Sequence, residues 1–194
     1  MGCNSSKGVS ETAKAGRVMC SDKLNSPDDL TGLPQFPAGT KSLLSKHLNK
    51  AIWNKYHDKT DACGVSFKTC VFSGCKNVDS GIGCYAGSAD SYTAFSDFFD
   101  KIILDYHKHS PKDKHVSNMD ASQLNIAPFS EEEAALVKST RIRVGRNLAD
   151  FPLGPGITDA QRDEIMAKVV EACGKFTGEL AGTFYPLDNM TAEQ

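Results

Sequence analysis

No apolar run in this chain approaches the roughly 18 residues that a membrane-spanning helix needs, and no C-x-x-C pair is present. Also missing are a P-loop lysine motif, an H-R-D catalytic loop and a G-x-G-x-x-G fingerprint, which removes three common ways of handling a nucleotide. A surplus of positive charge is lacking as well. Lys and Arg number 22 against 24 Asp and Glu, a net charge of −2, so nothing favours nucleic acid as a partner. Seven cysteines are present, an odd number at irregular spacing, which argues against a disulfide scaffold and for reduced thiols in a cytoplasmic protein. His107 and His109 are spaced as a weak metal clip, but Lys108, Pro111, Lys112 and Lys114 around them indicate a solvated loop, and no metal site is expected.

What is there begins with an address. Met1-Gly2-Cys3-Asn4-Ser5-Ser6 fits the N-myristoylation pattern on Gly2, and Cys3 beside it is placed for S-palmitoylation. Two chains anchor stably where one does not. The basic residues Lys7, Lys14, Arg17 and Lys23 are matched by Glu11, Asp22, Asp28 and Asp29, so charge supplies no second signal. Residues 1–32 are poor in large apolar groups and read as a disordered acylation arm, tethering a cytoplasmic protein to the inner face of a membrane. The alternative is an unmodified tail.

From residue 33 the pattern changes. Leu33 to Gly39 is punctuated by Pro and Gly; Thr40 then reads as the N-cap of a helix carrying Leu44, Leu48, Ala51 and Ile52 to about Lys55. Ser66 caps a second helix through Val71, Cys75 and Val78. Tyr92, Phe95, Phe99, Ile102, Ile103 and Tyr106 mark a third, long and kinked. Their aromatic stripe is core, giving a small all-α domain over 33–108. A polar linker, 109–134, follows. Beyond it Ala135–Val144 reads as a strand, Thr158 to Gln161 as a capping box opening a helix through Cys173, and Thr183–Tyr185 as a second strand. Residues 135–194 therefore look like the opening of an α/β domain that two strands cannot complete. Thr191-Ala192-Glu193-Gln194 is a further capping-box pattern with no helix after it, so the sequence is expected to be the front part of a longer protein.

Two stretches carry chemistry. Asp79-Ser80-Gly81-Ile82-Gly83-Cys84-Tyr85-Ala86-Gly87 is a glycine-rich loop where main chain can approach a ligand; it is equally a tight turn with Gly81 ending a helix. Its carbonyls are able to accept hydrogen bonds from a guanidinium group. Ser139-Thr140-Arg141-Ile142-Arg143-Val144-Gly145-Arg146 alternates Arg with aliphatic residues. A strand there aims Arg141 and Arg143 from one face, either toward phosphate oxygens or into solvent, with Ile142 and Val144 facing the body.

These two stretches, with Phe36-Pro37-Ala38, Ser73-Gly74, Ser91-Tyr92, Phe99-Asp100, Pro152 to Gly156 and Gly182 to Leu187, resemble the phosphagen (ATP:guanidino) kinases, arginine kinases most closely. The resemblance runs from about Leu33 to the last residue. It implies an α+β protein: a small helical N-terminal domain, then a larger catalytic domain of antiparallel sheet flanked by helices. It further implies ATP/ADP with Mg²⁺, whose phosphates meet Ser139, Thr140, Arg141, Ile142 and Arg143. The guanidino substrate, L-arginine, would set its carboxylate end at Ser80, Gly81, Ile82 and Gly83, with Cys84 and Tyr85 alongside. The short loop before these residues and Tyr85 follow the arginine-kinase pattern; taurocyamine or another guanidino compound is the alternative substrate. The family's substrate-gripping carboxylates and reactive cysteine lie beyond Gln194, so no catalytic residue is expected within the chain and Cys84 is not the reactive thiol. The rival outside enzymology is a truncated, membrane-anchored interaction module.

Overall fold

The computed structural model describes residues 16–193; Gly2 and Cys3 lie outside them. The polypeptide between 16 and 35 is not part of a disordered arm. Strand β1 (Arg17–Met19) pairs in parallel with β2 (Leu33–Gln35), with Arg17 opposite Leu33 and Met19 opposite Gln35. The crossover between them drives Cys20, Leu24 and Leu30 into the core, and its short 3-10 turn, Pro27–Asp29, lies against the third helix. Composition hid this. Three apolar residues in a polar stretch are enough when each is wholly enclosed, and Leu30 has no exposed surface.

The first expected helix is two. α1 (Leu43–His47) is capped by the Ser42 hydroxyl, which accepts from Ser45 N, because Thr40 is taken up in a turn in which its amide and hydroxyl both donate to Pro37 O. α2 (Lys50–Tyr56) starts afresh because the Asn49 carbonyl oxygen accepts from the amides of Ala51 and Ile52, offering the main chain an alternative to continuing α1. α3 (Phe67–Lys76) begins at Ser66 as the sequence indicates. The third expected helix is broken into α4 (Ser91–Ala94) and α5 (Ser96–His107). Phe95, at the break, is fully buried and meets Tyr56 and Phe67 edge-on at 5.5 and 5.2 Å. Phe98 and Phe99 extend the cluster, and edge-to-face geometry suits aromatic pairs. α1 and α5 are tied by Asp105, which accepts from Lys46 at 2.6 Å and contacts His47 at 2.8 Å.

Past α5 the chain stops making a core, and residues 111–150 are exposed throughout. α6 (Glu131–Leu136) is capped by Ser130 and Glu133; α7 (Asp159–Cys173) is capped by Thr158 and Gln161 and buries nothing. The strands expected at 135–144 and 183–185 are absent. α6 takes up the start of the first, and Ile142 and Val144 are 89 % and 85 % exposed instead of facing a body. A strand needs a neighbour for its N–H and C=O groups, and none lies beside these residues. Among the described residues the sheet is therefore the parallel β1–β2 pair, not an antiparallel one.

Leu30→Ala should lower unfolding free energy in urea by about 2–5 kcal/mol, the cost of emptying a closed aliphatic site. A change below about 0.5 kcal/mol would return residues 16–32 to the status of a loose arm.

Candidate functional site

Helix α1 starts with amides that a helix cannot satisfy from within. The Leu43 and Leu44 amides donate to the carbonyls of Gly81 (3.0 Å) and Ile82 (2.9 Å). The next carbonyl along, that of Gly83, accepts from Gly74 N of α3 at 2.9 Å, and Tyr85 N donates to Cys70 O at 2.8 Å. Four main-chain bonds thus suture the loop between α1 and α3. Its carbonyls are committed to helices rather than offered to a guanidinium group. The amides of Gly81, Ile82 and Gly83 have no hydrogen-bond partner among the described residues, which leaves unpaired donors in the loop, exposed at Gly81 and buried at Gly83.

Two glycines permit this suture. A Cβ on Gly74 would fall 2.2 Å from Gly83 O, and Gly83 itself has φ of +80°, a region side chains disfavour. Gly81, with nothing within 4 Å of its Cβ position, is under no such constraint.

Asp61 is buried behind the Ser88–Ser91 turn that follows the loop, to which it is bonded. Its carboxylate accepts from the hydroxyls of Ser91 (2.6 Å) and Ser88 (2.7 Å) and from the amides of Val65 (2.9 Å) and Cys63 (3.0 Å). Burial pushes its pKa up, but these bonds, Ser91 and Ser88 foremost, outweigh it and hold the carboxyl below its ordinary value. Cys84 is buried too. Burial, reinforced by Cys70, pushes its thiol up to about 12, which leaves no thiolate at neutral pH and agrees with a non-nucleophilic role.

Beside the loop opens a cleft of about 420 Å³. Ile82, Tyr85 and Ala86 form one wall, Phe99, Ile103 and Tyr106 another, and Asn147 with Leu153 closes the far side. The far side is fastened by Leu153 N, which donates to Gly87 O at 2.8 Å. Gly156 also approaches Gly87 O so closely that a Cβ would lie 2.3 Å away. The sequence shows these glycines but not that Gly87 and Gly156 meet, nor that Asp61 holds Ser88 and Ser91.

Ser139, Thr140, Arg141, Ile142 and Arg143 are exposed in a stretch without regular structure. No hydrogen bond or ion pair joins them to the 80–85 loop, and the two guanidinium groups have no acidic partner among the described residues. No group of three or more His, Cys, Asp or Glu that could hold a metal is found among the described residues, and no helix there is long and apolar enough to cross a membrane.

Residues 38–104, from the approach to α1 through most of α5, match the model for the N-terminal domain of ATP:guanido phosphotransferases. An arginine kinase of Penaeus monodon is 41 % identical over 165 residues, covering 84 % of this chain and 46 % of the relative. One from Anthopleura japonica is 42 % identical over 151 residues, 77 % of this chain and 21 % of the relative. The chain spans about half the length of the crustacean arginine kinases it matches, or less. Among solved structures, a lombricine kinase superposes with TM-score 0.65 at 29 % identity, covering 81 % of this chain and 43 % of that one. The substrate-free duplicated taurocyamine kinase of Schistosoma mansoni gives 0.67 at 32 %, covering 81 % and 22 %.

Two outcomes check this geometry. Gly74→Ala should cost about 3 kcal/mol, since backbone on both sides must move, whereas Gly81→Ala should stay within about 0.5 kcal/mol; equal urea midpoints would refute the suture. The folded Asp61 pKa lies below the unfolded one, so its contribution is complete above the unfolded value of about 3.9 and is lost as pH falls through the lower folded value. Asp61→Asn should accordingly lose less stability than wild type between about pH 4 and pH 2. Parallel acid limbs would contradict that.

Proposed function

The chain belongs to the ATP:guanido phosphotransferase family, and we propose that it supplies the guanidino-substrate loop and part of the nucleotide site for reversible transfer of the ATP γ-phosphoryl to L-arginine. The polarity of the loop carries this reading. With the carbonyls of 81–83 bonded to α1 and α3 and the amides unpartnered, the loop suits an anionic group. The substrate then lies with its α-carboxylate on the amides of Gly81, Ile82 and Gly83, flanked by Ser80, Cys84 and Tyr85, and its guanidinium pointing away.

Arg141 and Arg143, with the main chain of Ser139, Thr140 and Ile142, would meet the nucleotide phosphates, for which unpaired guanidinium forks are suited. Mg²⁺ supplies charge neutralisation on the transferring phosphates; with no acidic cluster among the described residues, it would be carried by the nucleotide. Transfer forms a P–N bond to a guanidino nitrogen, breaks the bond from γ-phosphorus to the bridging oxygen, and releases a guanidinium proton. The protein's contribution is position and fixed positive charge.

Taurocyamine is a second reading, supported by the likeness to a taurocyamine kinase structure, because a sulfonate also takes amide donors.

Titrating the labelled chain with L-arginine should shift amides within 81–85, and agmatine, which has the guanidinium without the carboxylate, should bind at least tenfold more weakly, the value of one charge-assisted contact. Equal binding would place the guanidinium at this loop instead. Arg141→Ala or Arg143→Ala should each weaken ATP about tenfold or more and leave arginine unaffected. ATP affinity retained in both would remove the nucleotide assignment.

A further inference from the structure

The turn that follows the substrate loop is bonded to a carboxylate that the proposed reaction does not use. Asp61 is 6 % exposed and is bonded only to neutral donors, two hydroxyls and two amides. Holding a buried carboxylate without a cation is costly, and an amide side chain of the same shape would avoid that cost. The two differ in one respect: a carboxylate only accepts. Because one Asp61 oxygen takes both hydroxyl protons, Ser88 and Ser91 must each donate inward and turn their lone pairs outward.

For Ser91 those lone pairs face the amides of Gly87 (3.2 Å) and Ser88 (3.1 Å), with the Cys70 thiol a weak third donor at 3.8 Å. For Ser88 they face Asp90 N (3.1 Å) and Ser91 N (3.3 Å), inside the turn itself. Ser91 alone therefore reaches Gly87, whose carbonyl accepts from Leu153 N. The donors run one way: Leu153 N–H to Gly87 C=O, the Ser88 N–H of that same peptide unit to Ser91 Oγ, Ser91 O–H to Asp61. That line passes through Gly87, two residues beyond Tyr85, and through Leu153, which lines the cleft.

Building on the assignment of residues 80–85 to the guanidino substrate, we propose that Asp61 is a positioning residue for that substrate. Its charge fixes the direction of the relay through Ser91, and the relay holds Tyr85–Gly87 against Leu153–Gly156 at the cleft mouth. Asp61 touches no substrate itself.

The experiment measures L-arginine and ATP affinity and melting temperature for the whole chain and for Asp61→Asn, Ser91→Ala and Ser88→Ala. The two serine variants each remove one hydroxyl from Asp61, so a purely structural role treats them alike. The relay predicts about tenfold weaker arginine binding in Asp61→Asn and Ser91→Ala, a change within about twofold in Ser88→Ala, the fold-change of one lost hydrogen bond, and unaltered ATP affinity throughout. Should Asp61→Asn fail to fold, the comparison of Ser91→Ala with Ser88→Ala decides alone. Equal effects of the two, or arginine affinity that simply follows melting temperature, would overturn the proposal. If the wild-type chain shows no arginine-induced shift at Gly81–Gly83, the substrate assignment fails on its own account. The relay is then read from the Gly87 and Leu153 amide resonances, which must move in Ser91→Ala and not in Ser88→Ala, or the relay fails too.

Discussion

The contact between Gly74 and Gly83 is the constraint on which the rest of this structure depends. With no side chain between them, the α3 main chain reaches the loop main chain directly, Gly74 N to Gly83 O at 2.9 Å. Once Gly83 is pinned there, the carbonyls of Gly81 and Ile82 fall where the first amides of α1 need acceptors. A five-residue helix has little stability of its own; α1 exists because the loop satisfies its open end and because Leu44 and Leu48 are buried. Loop and helix define each other. The chemical consequence is that every carbonyl from 81 to 83 is committed and the amides are left over.

That residue of free donors gives the site its polarity, and burial gives it its rigidity. Asp61 ties the 61–65 turn to the start of α4 through Ser88 and Ser91, and the aromatic cluster of Tyr56, Phe67, Phe95 and Phe98 sets α2, α3, α4 and α5 around it. The arginine-bearing stretch at 139–146 has no comparable support. Its guanidinium groups are in solvent, and its neighbours Ile142 and Val144 are uncovered. The glycine loop and the arginine-bearing stretch are therefore unequal in this chain, one preorganised and the other not, and preorganisation is what turns a binding group into a catalytic one.

The sequence made some of this visible for identifiable reasons. Ser66 as a cap and the α7 capping box at Thr158 and Gln161 are local signals and appear where the pattern puts them; of the aromatic stripe, Phe95 and Phe99 are core, whereas Tyr92 and Tyr106 are exposed. The glycine loop was recognisable as a close-approach element, but its partners were not, because Gly74 and the α1 amides are distant in sequence. Asn49 and Phe95 break helices through tertiary and side-chain competition that apolar periodicity does not report. The strands at 135–144 and 183–185 had the right composition and no neighbour. Leu24 and Leu30, sparse in a polar stretch, give no periodic core signal. Nothing in the sequence marks Asp61, because a single Asp before a Cys-Gly turn carries no motif; only its burial reveals it.

The most direct test is a crystal structure of this chain with L-arginine bound. The account predicts the α-carboxylate within about 3 Å of the amides of Gly81–Gly83, a normal hydrogen-bond distance, with the carbonyls of Gly81 and Ile82 still bonded to Leu43 and Leu44. A guanidinium group seated on those carbonyls, with the α1 amides released, would contradict it.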